Sequence, residues 1–251
     1  MKNFTINNNK GRIEFLDARF YQTEDGFVPS VTTILEAYPK DAHFFKWLKE
    51  VGSDADTIRD EAGRRGSIVH ELTEKYDSGE ECSFISEQGF PKFKMNEWSM
   101  FERYVEFSQT YKPTIDSMEL HMISQELGFA GTLDRVIKLN GKTMLLDIKT
   151  SNAFHNFYWL QLSAYNELLK TLDINVDTVG ILWLNAKTRT VGKNGAIQGA
   201  GWQLVSKTVD ELKSDWELFQ ATYKLWLALN ADTKPRQISY QLKYKKDGQN
   251  S

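Results

Sequence analysis

The spacing of apolar positions divides the chain into a mainly helical first half, a β-rich middle and a mixed remainder. Short β-prone runs at residues 13–15 and 19–22 predict a small hairpin around Leu16-Asp17-Ala18. Ser30 then stands where a helix N-cap belongs, ahead of Val31-Thr32-Thr33-Ile34-Leu35. Helical spacing follows over residues 41–51, with Phe44, Phe45, Trp47 and Leu48, and over 54–76, with Gly63, Gly66 and His70. A further helix is predicted over 95–111, carrying Trp98, Phe101, Tyr104, Val105 and Phe107. Core packing is the expected use of most of these aromatic rings.

The period then changes. Residues 115–125, 129–139 and 143–149 are rich in β-branched and aromatic residues with partial alternation. Asn140-Gly141 separates the last two runs, and that dipeptide between two such runs signals a hairpin closed by a type I′ turn. Residues 156–172 return to helical spacing, 179–185 and 202–207 read as strands, and 209–230 as a long closing helix. The order implies an α/β or α+β fold, with one central mixed sheet flanked by helices and a helical N-terminal part. Residues 1–12 and 243–251 are polar and read as loosely ordered tails. No Pro/Gly/Ser-rich stretch is long enough for a linker, so a single domain is expected over 1–251, helical over 30–111 and sheet-centred over 115–230.

Composition narrows the chemistry. A single cysteine, Cys82, excludes an internal disulfide and any four-cysteine metal or cluster site in the monomer. No apolar run approaches the roughly 18–20 residues that span a bilayer, and no secretory signal is seen, so a soluble cytoplasmic protein is expected. The net charge of −3 excludes a basic coat over the whole surface, but not a local basic groove or a site made positive by a metal.

The predicted hairpin also sets a register. With Asn140-Gly141 as a two-residue turn, Leu139 pairs with Lys142, and counting outward brings Asp134 opposite Asp147. Directly opposed residues have Cβ atoms about 4.5–5.5 Å apart. Lys149, two residues beyond Asp147, points to the same face. Two like charges opposed in a half-buried sheet destabilise it unless something compensates. Either a divalent cation lies between the carboxylates, or Lys149 and Arg135 offset them.

Other candidates are weaker in isolation. His70-Glu71-Leu72-Thr73-Glu74 lacks the second histidine of the zinc-protease helix motif, and a lone histidine is ordinarily a surface or hydrogen-bonded core residue. Gln161 and Tyr165 share a helix face at i, i+4. The nucleophile elbow, the Walker phosphate loop and the dinucleotide-binding glycine fingerprint are all missing. The glycine-rich stretch 192–201 reads as a loop between strands. Cys82 lies among acidic residues, which disfavours its thiolate.

Taken in order, Gly66-Ser67-Ile68-Val69-His70, Gly131-Thr132-Leu133-Asp134, Leu146-Asp147-Ile148-Lys149-Thr150 and Gln161-Leu162-Ser163-Ala164-Tyr165 resemble the RecB-type branch of the PD-(D/E)XK nuclease superfamily. This branch includes many phage and recombination exonucleases, and the resemblance runs from about Ser30 to Tyr165. It implies a restriction-endonuclease-like core and hydrolysis of DNA, most often from its ends, in replication, recombination or repair. By the same resemblance, Asp134 and Asp147 would ligate one or two Mg²⁺ or Mn²⁺ ions together with the Ile148 carbonyl and His70. Lys149 would orient the attacking water, while Gln161 and Tyr165 would support the site or touch the DNA backbone. Glu119 falls where relatives often carry an acidic residue. The implied partners are linear DNA ends or single strands, with a separate single-strand-annealing or helicase protein alongside. An iron–sulfur cluster is ruled out by the lone cysteine. A catalytically silent protein that binds DNA ends or a partner on the same fold is the alternative.

Overall fold

The structure, a computed structural model, describes residues 5–6, 12–15, 18–189, 197–231, 233 and 235. The expected tail at 243–251 lies outside the described residues. At the N-terminal side, β1 (Thr5–Ile6), β2 (Arg12–Phe15), β3 (Ala18–Thr23) and β4 (Gly26–Pro29) form an antiparallel sheet in that order. The hairpin expected from residues 13–22 is present as β2–β3, with Phe15 facing Ala18. It is the centre of a larger sheet, because Gly26–Pro29 pairs on its far side.

Helix α1 (Val31–Leu35) starts at Ser30, whose Oγ accepts the Thr33 amide at 3.0 Å. Helix α2 (Ala42–Val51) is capped by Asp41, which accepts the Phe44 amide at 2.8 Å. A short 3-10 turn, Gly52–Asp54, leads into α3 (Ala55–Asp77), and α4 (Met95–Tyr111) follows. The expected helices are all present, but one expectation fails. No residue of α2 is buried, and Phe44, Phe45 and Leu48 are 37%, 52% and 39% exposed. Its apolar face has helical spacing but does not reach the core.

The second sheet runs β5 (Thr114–Ser124), β6 (Phe129–Leu139), β7 (Lys142–Lys149), β8 (Thr178–Arg189), β9 (Ile197–Thr208). Three antiparallel strands come first. Then α5 (Phe157–Lys170) carries the chain over, so that β8 lies parallel to β7, a pairing that requires a crossover connection. Strand β9 returns antiparallel, and α6 (Lys213–Leu229) closes the described chain. Residues 197–201, expected to be loop, belong to β9, because pairing with β8 continues along them.

The sheet is covered on both sides. Val136 and Leu145 pack with Leu162 and Leu169 of α5, Phe219 of α6 and Ile34 of α1. On the other side Ile137, Leu146 and Ile148 pack with Val69 of α3 and Tyr104 and Phe107 of α4. The molecule is therefore a mixed α/β protein with a five-stranded mixed sheet between helices. Among the described residues no helix is long and apolar enough to cross a membrane.

Candidate metal centre

The β6–β7 hairpin has the register expected from its turn. Leu139 faces Lys142, and the pairs continue inward to Arg135 opposite Leu146. Asn140 and Gly141 both have positive φ, 50° and 77°, as a type I′ turn requires. Pairing stops one step before Asp134 and Asp147. There the Asp134 side chain takes over a main-chain role, its Oδ2 accepting the Ile148 amide at 2.7 Å.

Around this opening the sequence candidates converge from five elements, α3, β5, β6, β7 and α5. His70 on α3 places Nδ1 3.4 Å from Asp134 Oδ1. Met118 faces Arg135 and Leu120 faces Leu133, which leaves Glu119 of β5 opposite Asp134. Glu119 has a φ of 45°, a left-handed conformation uncommon within a strand. One ligand atom from each of His70, Glu119 and Asp134 lies within 4.8 Å of the other two. Asp147 stands beside this triad rather than in it, and still feels the charges of Asp134 and His70.

On the α5 side, the Lys149 ammonium is 2.8 Å from Asp147 Oδ2 and donates to Gln161 Oε1 at 3.0 Å. Asp147 Oδ2 is buried, and this ion pair with the Lys149 ammonium is the contact that holds it. Gln161 Nε2 donates to the Tyr165 hydroxyl at 3.1 Å and, at longer range, to Asp147 Oδ1 at 3.4 Å. Tyr165 in turn presses its ring on Gly131, where an added Cβ would come within 2.4 Å of the ring. This contact gives a physical reason for the glycine three residues before Asp134.

Two further residues take roles other than those the sequence suggested. The Tyr158 ring lies 4.9 Å from the Lys149 ammonium, a cation–π contact. Arg135 is fully buried beneath the centre, its Nε donating to Asp77 at 2.7 Å, its Nη2 to Thr73 Oγ1 at 3.2 Å and its Nη1 to the Asp134 carbonyl at 2.8 Å. The sequence suggested Arg135 as an offset to the two aspartates, but its guanidinium pairs with the Asp77 carboxylate and takes only the main-chain carbonyl of Asp134.

The electrostatics follow from burial and crowding. Burial pushes the Asp147 carboxyl up to about 6, with Lys149 opposing the rise and Asp134 adding to it. Burial alone would lower His70, but the Asp134 carboxylate outweighs it and holds the imidazolium up to about 9. Asp134 is driven down to about 2, since its attraction to His70 and Lys149 and the Ile148 amide together overcome burial. Glu119 is raised to about 7 by burial and by the charges of Asp134 and Glu74. The cluster's cations thus hold Asp134 ionised, while burial and the Asp134 charge shift Asp147 and Glu119 toward their protonated forms.

One buried carboxylate, two half-buried ones and an imidazole make a donor set suited to a hard divalent cation with some imidazole tolerance, such as Mg²⁺ or Mn²⁺. A separate cavity of about 180 Å³ lies between α5 and the start of α6, lined by residues that include Ser163, Asn166, Leu212 and Trp216, and shares no residue with the centre.

Fold and site thus define a mixed α/β protein with an acidic, histidine- and lysine-bearing centre at the splayed end of a hairpin. No family model matches the chain. No curated protein matches it. Among solved structures it is similar to the crystal structure of SSO0001, at 12% sequence identity and a TM-score of 0.36, over 81% of this chain and 76% of that one.

Proposed function

We propose that the protein is a metal-dependent nuclease of the RecB-type branch of the PD-(D/E)XK superfamily, built on a restriction-endonuclease-like core and acting on DNA ends. The observation that carries this reading is the convergence of Asp134, Asp147 and Lys149 at the opening of one hairpin, with His70 reaching in from α3 and Gln161 from α5. The order of three antiparallel strands, helix and parallel strand, flanked by helices, supports the same reading.

In this proposal Asp134, Asp147, His70 and the Ile148 carbonyl hold the metal, and Glu119 joins them through its place in the triad. A bound divalent cation supplies a water of lowered pKa and neutralises charge on the scissile phosphate. The chain's own contribution is placement. Lys149 is held by Gln161 on one side and the Tyr158 ring on another, so its ammonium is fixed where it can orient the nucleophilic water and stabilise a phosphoryl oxygen. Gln161 is itself fixed by Tyr165.

The test is digestion of end-labelled linear DNA and covalently closed circular DNA in Mg²⁺, Mn²⁺ or EDTA, with Lys149→Ala in parallel. Metal-dependent loss of linear DNA only, absent in the variant, is the expected result. Metal binding without cleavage of any DNA or RNA would replace this reading with a silent DNA-end-binding protein. Cleavage undiminished in Lys149→Ala would remove the hairpin as the centre of the chemistry.

A further inference from the structure

Helix α2 has an apolar stripe that finds no place in the core. Phe44, Trp47, Leu48 and Val51 recur at i, i+3, i+4 and i+7, with Phe45 beside them, yet no residue of the helix is buried. An ordinary surface helix turns such a stripe inward. Here Phe44 stacks against its own neighbours instead, 5.6 Å from Phe45 and 5.9 Å from Trp47, leaving Phe45 more than half exposed. Ile58, early in α3, adds a further exposed apolar side chain at 41%.

The position of this helix matters as much as its composition. Asp41 and Lys40, at its start, act electrostatically on His155, which lies in the connection from β7 to α5. His155 stacks on Phe157 at 5.3 Å and meets Tyr158 edge-on at 5.4 Å, and Tyr158 is the ring under the Lys149 ammonium. A run of rings therefore leads from Lys149 outward to His155, which feels the charges of Lys40 and Asp41 at the start of α2. Cations accompany it. Lys40 and Lys49 have no ion-pair partner among the described residues, and the Arg65 guanidinium, beside the Thr150 carbonyl at 3.4 Å, has a buried Nε with no partner.

We propose that α2 is a binding surface for single-stranded nucleic acid, whose bases stack on Phe44, Phe45 and Trp47 and whose phosphates meet Lys40, Lys49 and Arg65. Two exposed rings and one half-buried ring beside unpaired cations are the chemistry that holds an unpaired strand, because every base offers a π-face and every linkage a negative charge. A duplex offers its charges but hides its faces, so this surface discriminates by strandedness. The inference rests on the nuclease reading for its biological sense, but the binding itself does not depend on cleavage. On this view the helix receives the frayed or single-stranded end and leads it along the β7–α5 connection toward Lys149.

The experiment uses the full chain in EDTA, with fluorescence anisotropy on three probes of equal length: oligothymidylate, the same strand with abasic spacers, and a blunt duplex. The variants are Phe45→Ser and the conservative Phe45→Tyr, both at an exposed position, with thermal melts to confirm the fold. Stacking on one ring is worth about 1–3 kcal/mol per base, so Phe45→Ser should weaken oligothymidylate binding by about 5-fold or more. Phe45→Tyr should bind as the wild type does, and the abasic strand should be weak and indifferent to both changes. Unchanged oligothymidylate affinity in Phe45→Ser would overturn the proposal, and so would an equal loss on the abasic strand. Sedimentation showing a dimer that Phe45→Ser dissociates, without nucleic-acid binding, would make the face an interface between copies. The nuclease reading fails separately, if the wild type cuts nothing while these binding results hold.

Discussion

At Asp147 the protein keeps a carboxylate in a place that disfavours its charge. The residue is 3% exposed and Asp134 repels it, effects that the Lys149 ammonium 2.8 Å away offsets only in part. Its carboxyl is therefore raised from an ordinary 3.8 to about 6. A raised carboxyl favours the folded state while protonated, so that contribution is whole below about pH 3.8 and is lost as pH rises through about 6. Asp147→Asn removes the titration. Without metal the variant should match the wild type near pH 4 and exceed it in stability above pH 6, by on the order of 2 kcal/mol. Urea denaturation across this range in EDTA measures the difference, and a variant less stable than wild type at pH 7 would refute the repulsion argument. Asp134 has the opposite sign. Its depressed carboxyl supports the fold above about 3.8 and withdraws that support as pH falls toward 2. His70, held protonated up to about 9, must give up its proton to ligate a metal, so metal addition at pH 7 should release protons. Calorimetric titration of Mn²⁺ in buffers of different ionisation enthalpy measures that release, and His70→Ala should remove the histidine's share while leaving the part that comes from Glu119 and Asp147.

Between residues and fold, the β6–β7 hairpin is the element that organises the centre. Its turn lies at the far end from the carboxylates, which separates stability from chemistry. Gly141→Ala places a Cβ at a φ of 77° and should cost about 1 kcal/mol, with metal binding retained. Gly131→Ala acts differently. The added carbon would lie 2.4 Å from the Tyr165 ring, so the ring must move, at a cost of about 1–3 kcal/mol. Because Tyr165 fixes Gln161 and Gln161 holds Lys149, the same change should loosen the ammonium and lower activity well beyond the effect of Gly141→Ala. Equal activities of the two variants at a temperature where both are folded would break that chain of contacts. This hairpin was also the most legible part of the sequence, since Asn-Gly fixes a turn, the turn fixes a register, and the register aligns side chains across it. The end of pairing before Asp134 and Asp147 was not legible, because it depends on the Asp134 carboxylate displacing a main-chain bond to Ile148. Helix α2 misled for a related reason. Apolar periodicity reports a face that will be covered, but not whether the protein itself covers it.

The whole molecule joins its layers through a polar contact as well as through the two apolar clusters. Arg135, on the central strand β6, reaches the α3–α4 layer, where Asp77 also accepts a hydrogen bond from the Tyr104 hydroxyl at 2.6 Å. The same guanidinium holds the Asp134 carbonyl and lies 3.7 Å from Glu119, so the helical layer and the centre share one buried cation. No local pattern announces such a partnership, because Asp77 and Arg135 are 58 residues apart and meet only when the layers close. Breaking one member strands the other. Arg135→Met leaves the Asp77 carboxylate buried without its cation and should destabilise by about 3–5 kcal/mol. Asp77→Asn keeps the shape and a polar partner for Tyr104 but leaves the guanidinium uncompensated, and should cost a similar amount. The double variant loses both charges together, so its destabilisation should fall well short of the two single losses added. Urea unfolding of the four proteins gives the coupling directly. Strict additivity would mean that Arg135 and Asp77 act independently, with the layers joined by apolar packing alone. A coupling of several kcal/mol would mean that closing the helical layer onto the sheet and setting the Asp134 backbone are parts of one event.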